Sequence, residues 1–167
     1  MGKIIIGFSG TRQGLTDIQL KKVEAVLNKL KNKYTDIEIH HGDCVGSDQQ
    51  IHEMVVAKNL VQSIIIHPPK NAALRAFCEN CFNELIIIKQ ELEKDYLERN
   101  KDIIAIGELM IITPKENDEI VKSGTWMSYR TSKKFNKKIL LIKPNGQQEV
   151  WPNENMANKM RKKIKKQ

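Results

Sequence analysis

The sequence predicts a single α/β domain, built on a mainly parallel sheet with helices on both faces. Three observations carry this prediction. Short apolar runs alternate with helix-period segments almost throughout the chain. Several of those runs, in KIIIGFSG, QSIIIHPP and ELMIITP, are continuous rather than alternating, as strands covered on both faces require. No repeat or low-complexity linker divides the 167 residues, a length sufficient to bury a core without disulfide or metal staples.

KIIIGFSG (3–10) is a buried strand running into a glycine turn. Thr16 and Gln19 stand at capping-box spacing, and Leu20, Val23, Leu27 and Leu30 recur on one face, so 17–32 is an amphipathic helix. A strand follows at 37–43, and Ser47 or Asp48 caps a helix through about residue 58. The strand at 62–69 stops at Pro68 and Pro69, which cannot continue a ladder. A helix near 72–82, an extended piece at 84–88 and a helix over 91–106 come next. The series closes with a strand at 108–114, a polar turn at 115–123, a helix at 125–136 and a strand at 137–144. The domain is taken as 1–152, followed by a basic tail over 153–167 that forms a solvated, frayed helix end.

Charge narrows the function classes. The formal net charge is +8, but the stretch KMRKKIKKQ (159–167) holds six Lys or Arg and no acid, leaving +2 for the rest. A body that close to neutral is a poor nucleic-acid platform, so nucleic acid is not the favoured partner. Apolar runs are too short to span a bilayer, MGKIIIGF lacks a signal-peptide pattern, and no membrane partner is expected. Cys44, Cys78 and Cys81 form an odd set, which fits free thiols in a reducing cytoplasm. Cys78 and Cys81 are expected on one buried helical face, with no second pair to complete a zinc site. His40 and His41 are neighbours on a strand and point to opposite faces, so they cannot share a metal. No metal and no cofactor are expected.

The polar residues collect after the strands, where open parallel sheets bind ligands. GFSGTRQG (7–14), HHGDCVGSD (40–48), HPP (67–69) and KSGTW (122–126) all lie there. Glycines permit close backbone approach, a helix start favours an anion, and Arg12 adds a planar donor fork suited to phosphate. Singly, these features are ordinary turns and caps. Together they predict a phosphate-accepting pocket.

These blocks, with YLERNKDIIAIGELMIITP and SGTWMSYRTSKKFNKKILLI, resemble the SLOG superfamily over about residues 4–143. That superfamily comprises the Smf/DprA DNA-processing proteins, the Lonely Guy (LOG) phosphoribohydrolases and small stand-alone proteins, to which the likeness is greatest. The resemblance implies a Rossmann-like, doubly wound fold that binds a nucleotide or nucleotide-derived molecule. It also implies homo-oligomers, and a sensing or sequestering role toward ADP-ribose-type or cyclic-nucleotide signals in bacterial and phage conflict. Carried over, Ser9, Gly10, Thr11 and Arg12 form one wall, and Gly42, Asp43, Gly46 and Asp48 a second. Arg99 and Asn100 come from the neighbouring helix, and Ser123, Gly124 and Thr125 hold phosphate. Trp126 packs either on the ligand or in the core, and Arg130 faces solvent one turn on.

Whether the ligand is held or cut turns on one position. In LOG enzymes a glutamate after the glycine turn is catalytic, and here that position is Ser128. Serine has no useful acid–base pKa, and arginine stays protonated, so Arg99 does not replace the missing acid. Asp43, Asp48 and Glu98 are the carboxylates that could substitute in N-glycosidic cleavage or deoxyribosyl transfer. Asp48 at a helix start is expected to have a lowered pKa. The expectation is therefore a binding protein, with a nucleotide N-glycosidase as the runner-up and single-strand nucleic-acid binding third.

Overall fold

A computed structural model describes residues 2–166. Seven strands form one sheet: β1 (Lys3–Gly10), β2 (Asp36–His41), β3 (Ser63–Ile66), β4 (Ile87–Gln90), β5 (Leu109–Thr113), β6 (Lys138–Ile142) and β7 (Gln148–Trp151). Their spatial order is β4-β3-β2-β1-β5-β6-β7, and every pairing is parallel except β6 with β7. The chain moves outward from β1 to β4, then restarts on the other side of β1. That reversal opens a crevice beyond the carboxyl ends of β1 and β5.

Two cores flank the sheet. On one face, α1 (Asp17–Lys31) and α2 (Ser47–Lys58) place Val23, Leu27, Ile51 and Val55 against Ile6, Phe8, Ile39, Ile64 and Ile111. On the other, α3 (Tyr96–Ile106) and α4 (Gly124–Lys134) place Ile103, Ile104, Trp126 and Tyr129 against Met110, Ile112, Ile139 and Leu141. Gly7 lets α3 approach β1: a Cβ there would lie 2.3 Å from the Met110 sulfur and 3.1 Å from the Ile103 carbonyl oxygen. The architecture is a Rossmann-like α/β fold, as the alternation of apolar runs predicts.

The α1 capping box forms as expected, with Thr16 and Gln19 satisfying each other's backbone N–H groups. α2 starts differently. Gly46 occupies the N-cap, and the Ser47 hydroxyl donates to the Thr11 carbonyl at 2.6 Å instead of capping. The predicted helix near 72–82 is absent. Single 3₁₀ turns at Ala72–Leu74 and Cys78–Asn80 replace it, with Phe77 left-handed between them. Asp43 explains the break, because its buried carboxylate accepts from Arg75 Nε at 2.7 Å and from the Cys78 N–H at 2.8 Å. Those long-range bonds outcompete a helical ladder. Cys78 and Cys81 consequently share a turn rather than a helical face.

The edge strand lies at 87–90 rather than 84–88, and α3 begins at Tyr96 rather than near 91. Residues 91–94 are held extended: the Glu91 N–H donates to the Ile66 carbonyl and the Lys70 N–H to the Lys94 carbonyl. β7 was not foreseen in the sequence. α5 (Glu154–Ile164) follows it, capped by Asn153, and has no buried residue, in keeping with a solvated helical tail. Among the described residues no helix is long and apolar enough to cross a membrane.

Candidate functional site

The crevice beyond β1 and β5 is a polar cavity of about 220 Å³. Ser9, Gly10, Thr11 and Arg12 line it from the end of β1, and Gly42 and Asp48 from the turn after β2. Arg99 and Asn100 come from α3, and Ser123, Gly124 and Thr125 from the start of α4. A shallower hollow of about 420 Å³ shares Arg12, Tyr96, Ser123 and Gly124 and extends toward Lys122 and Met127. Eleven of the fourteen binding residues named from the sequence therefore converge on one cleft.

The cleft carries three cations, Arg12, Arg99 and Lys115, against the carboxyls of Asp48 and Glu116, and one Glu116 oxygen is buried without a partner. Arg99 is 3 % exposed, donates to the Gly42 carbonyl at 2.8 Å and contacts the Cys44 sulfur at 3.4 Å. Its guanidinium lies 5.0 Å from the Tyr96 ring centroid, with that of Arg12 at 6.0 Å. Tyr96 thus holds two like charges near one anion-sized space. Arg99 has no carboxylate hydrogen-bonded to it, and its buried Nε has no partner at all. A buried unpaired donor is costly. Lys115 and the unpaired N-terminus of α4 add further positive potential. The Ser123 hydroxyl accepts the Trp126 N–H at 3.3 Å and so serves as the N-cap, leaving the earlier amides of that turn for an incoming anion.

Gly42 is what lets Arg99 reach this position. A Cβ at residue 42 would fall 1.4 Å from Arg99 Nη1. Gly46, with φ of 93°, would bring a Cβ within 2.3 Å of the Arg12 carbonyl oxygen. Gly46 therefore shapes the turn without lining the cavity.

Asp43 and Glu98 are corrections to the sequence expectation, and Trp126 takes the core alternative rather than the ligand. Asp43 is fully buried and committed to Arg75 and Cys78, away from the cleft. Trp126 is 2 % exposed and packs edge-on against Tyr129 in the α3–α4 core. The Glu98 side chain is 60 % exposed and sits 4.0 Å from Lys94, outside the cleft. Asp48 is the one carboxylate of the three that lines the cavity. Its expected lowered pKa is reversed: burial pushes it up to about 6, against the opposing Arg99 charge and the Cys44 N–H that it accepts. Desolvation outweighs the helix-start field here.

Ser128 lies behind the cleft as a structural hub. It accepts from Ser9 at 3.0 Å and from Asn100 at 3.4 Å, and donates to the Gly124 carbonyl at 3.2 Å. Gln13, Tyr96, Lys115 and Glu116 line the cavity and were missed in the sequence. Lys115 and Glu116 belong to a polar turn with no distinguishing pattern. Tyr96 had a detectable signal, being an aromatic residue one helical turn before Arg99 and Asn100.

The histidines separate by face, as strand alternation requires. His40 pairs with His67, and His41 with His52. His41, His52 and Cys78 bring three potential ligand atoms within 4.8 Å of one another. The Asp43 N–H donates to His41 Nδ1, so His41 carries its proton on Nε2 and donates to His52 Nδ1. His52 Nε2–H then donates to the Cys81 carbonyl. His41 Nε2 and His52 Nδ1 are thereby engaged with each other, and burial pushes the Cys78 thiol strongly up.

Fold and cleft together define a Rossmann-like α/β protein with a polar crevice at its topological switch point. No known protein family matches the chain, and neither does any curated protein. Among solved structures, the chain is similar to the X-ray structure of TM1055, a target of the Northeast Structural Genomics Consortium. The TM-score is 0.51 at 14 % identity, covering 83 % of this chain and 72 % of that one. A likeness at that identity concerns the fold.

Proposed function

We propose that this protein is a SLOG-type binder of a nucleotide or nucleotide-derived small molecule, held by its phosphate in the crevice. The observation that carries this is Arg99, a buried cation with an unpartnered Nε in a cavity that also contains Arg12, Lys115 and the start of α4. The inner space suits a phosphate, and the adjoining hollow past Tyr96 leaves room for a sugar and base. Ser128, committed to three hydrogen bonds at the LOG glutamate position, supports holding rather than cutting. By the same family analogy the chain works as a homo-oligomer in the cytoplasm and sequesters or senses an ADP-ribose-type or cyclic-nucleotide signal.

Thermal-shift screening against nucleoside phosphates and ADP-ribose compounds tests this, with product analysis of each hit. A ligand at about a hundred times its dissociation constant adds about 2.7 kcal/mol of apparent stability. Arg99→Gln should abolish that shift. Unchanged binding in this variant would defeat the proposal.

Asp48 supports a second reading, as a nucleotide N-glycosidase or ribosyltransferase. A cleft carboxyl raised to about 6 can hold or release a proton near neutral pH. Free base released from a nucleotide at a rate abolished by Asp48→Asn would establish it. Nucleic-acid binding through α5 has no comparable support.

A further inference from the structure

The sheet face that carries α3 and α4 is left without a helix over β2, β3 and β4, because no helix links β3 to β4. A separate cavity of about 520 Å³ opens there, between the ends of β2 and β3 and the outer side of α3. It shares no residue with the crevice. It is an open hollow whose aliphatic sides, Leu92, Ala105 and Ile106, are exposed, with Glu91, Lys94 and Asp102 at the margin and the buried His40 and His67 at the floor.

The floor is an ordered relay. Glu38 is fixed by Lys3 at 2.7 Å and Ser63 at 3.2 Å on one carboxylate oxygen, and its other oxygen faces His40 Nε2 at 2.8 Å. A carboxylate can only accept, so His40 carries its proton on Nε2. His40 Nδ1 is then an acceptor, and it lies 2.8 Å from His67 Nε2, which must donate. The relay ends at His67 Nδ1. That nitrogen is left unprotonated, as an acceptor with no protein hydrogen-bond partner, on a side chain whose residue is 8 % exposed. Polarisation along Glu38–His40–His67 strengthens it as an acceptor.

We propose that this cavity is a second ligand site, for a small neutral molecule that joins an apolar body to one O–H or N–H donor, with His67 Nδ1 receiving the donor. The aliphatic walls take the body. Glu91 disfavours an anion and Arg99 behind the floor disfavours a cation, while Lys94 and Asp102 neutralise each other. Lys94 is already paired with Asp102 at 2.6 Å, so it does not compete for the ligand. His67 is held down to about 4 by burial and by His40, so the acceptor form persists across the neutral range.

Phenol and benzoate serve as matched probes, sharing a ring and differing in the head group. Their binding is followed by NMR through the imidazole resonances of His40 and His67. Phenol should shift the His67 ring saturably, with benzoate at least about tenfold weaker, the worth of one hydrogen bond to a well-placed acceptor. The unliganded spectrum should show His67 protonated on Nε2 alone. His67→Phe should abolish the donor preference, and Ala105→Trp, which fills the space from α3 without touching the relay, should abolish phenol binding. Circular dichroism of both variants checks the fold. Equal binding of phenol and benzoate, phenol binding that survives Ala105→Trp, or a His67 proton on Nδ1 would each overturn the proposal. Nucleotide binding in the crevice is expected to be unchanged by Ala105→Trp, so failure of one site leaves the other standing.

Discussion

Asp48→Asn isolates the cost of keeping a carboxylate inside the crevice. Burial raises this carboxyl from its ordinary 3.8 to about 6. The folded chain therefore binds this proton more tightly than the unfolded chain. The stabilisation is fully present below the unfolded value and is lost as pH rises through about 6. A gap of about two pH units corresponds to about 3 kcal/mol. The asparagine keeps an acceptor for the Cys44 N–H but carries no charge to bury. Raw stability curves contain opposing contributions. His67 is held down to about 4 and burial lowers His40, His41 and His52, so each withdraws stability as pH falls below the ordinary histidine range. Those contributions are common to both proteins and cancel in the difference. Urea unfolding of wild type and variant at matched pH values, followed by tryptophan fluorescence, gives that difference. It should move by about 2 kcal/mol in the variant's favour between pH 4 and pH 7, mostly below pH 6. A flat difference would show that the Asp48 carboxyl is not desolvated, and the acid–base reading of the crevice would fail with it.

Three further outcomes follow from the packing. Gly42→Ala drives a Cβ into Arg99 and should cost about 1–3 kcal/mol in urea unfolding, while nucleotide-induced thermal shifts disappear. Asp43→Ala takes one carboxylate at 2.7 Å from Arg75, which keeps Glu79 and Glu93, and strips the Cys78 N–H of its acceptor, so it should cost about 1–3 kcal/mol by the same assay. Truncation after Pro152 removes α5, which buries no residue, so the melting temperature should stay within a few degrees of wild type. If the truncated chain melts far lower, α5 docks on a surface, for example in an oligomer.

Periodicity and composition determined the layers of this protein. Continuous apolar runs alternating with helix-period segments read as strands covered on both sides, which places the residues that follow them, Ser9 to Arg12, Gly42, Asp48 and Ser123 to Thr125, on one edge of a parallel sheet. Tertiary structure decided what those residues do, because burial and partnering depend on chain segments far apart in sequence. Asp43 and Asp48 are five positions apart on one loop, yet one is bound by Arg75 and Cys78 and the other faces the crevice. Trp126 follows a phosphate-type turn, yet it fills the core between α3 and α4. The Glu38–His40–His67 relay joins β2 to β3, and no local pattern announces it. Desolvation and hydrogen-bond direction are properties of the assembled neighbourhood, so only the folded chain could set them.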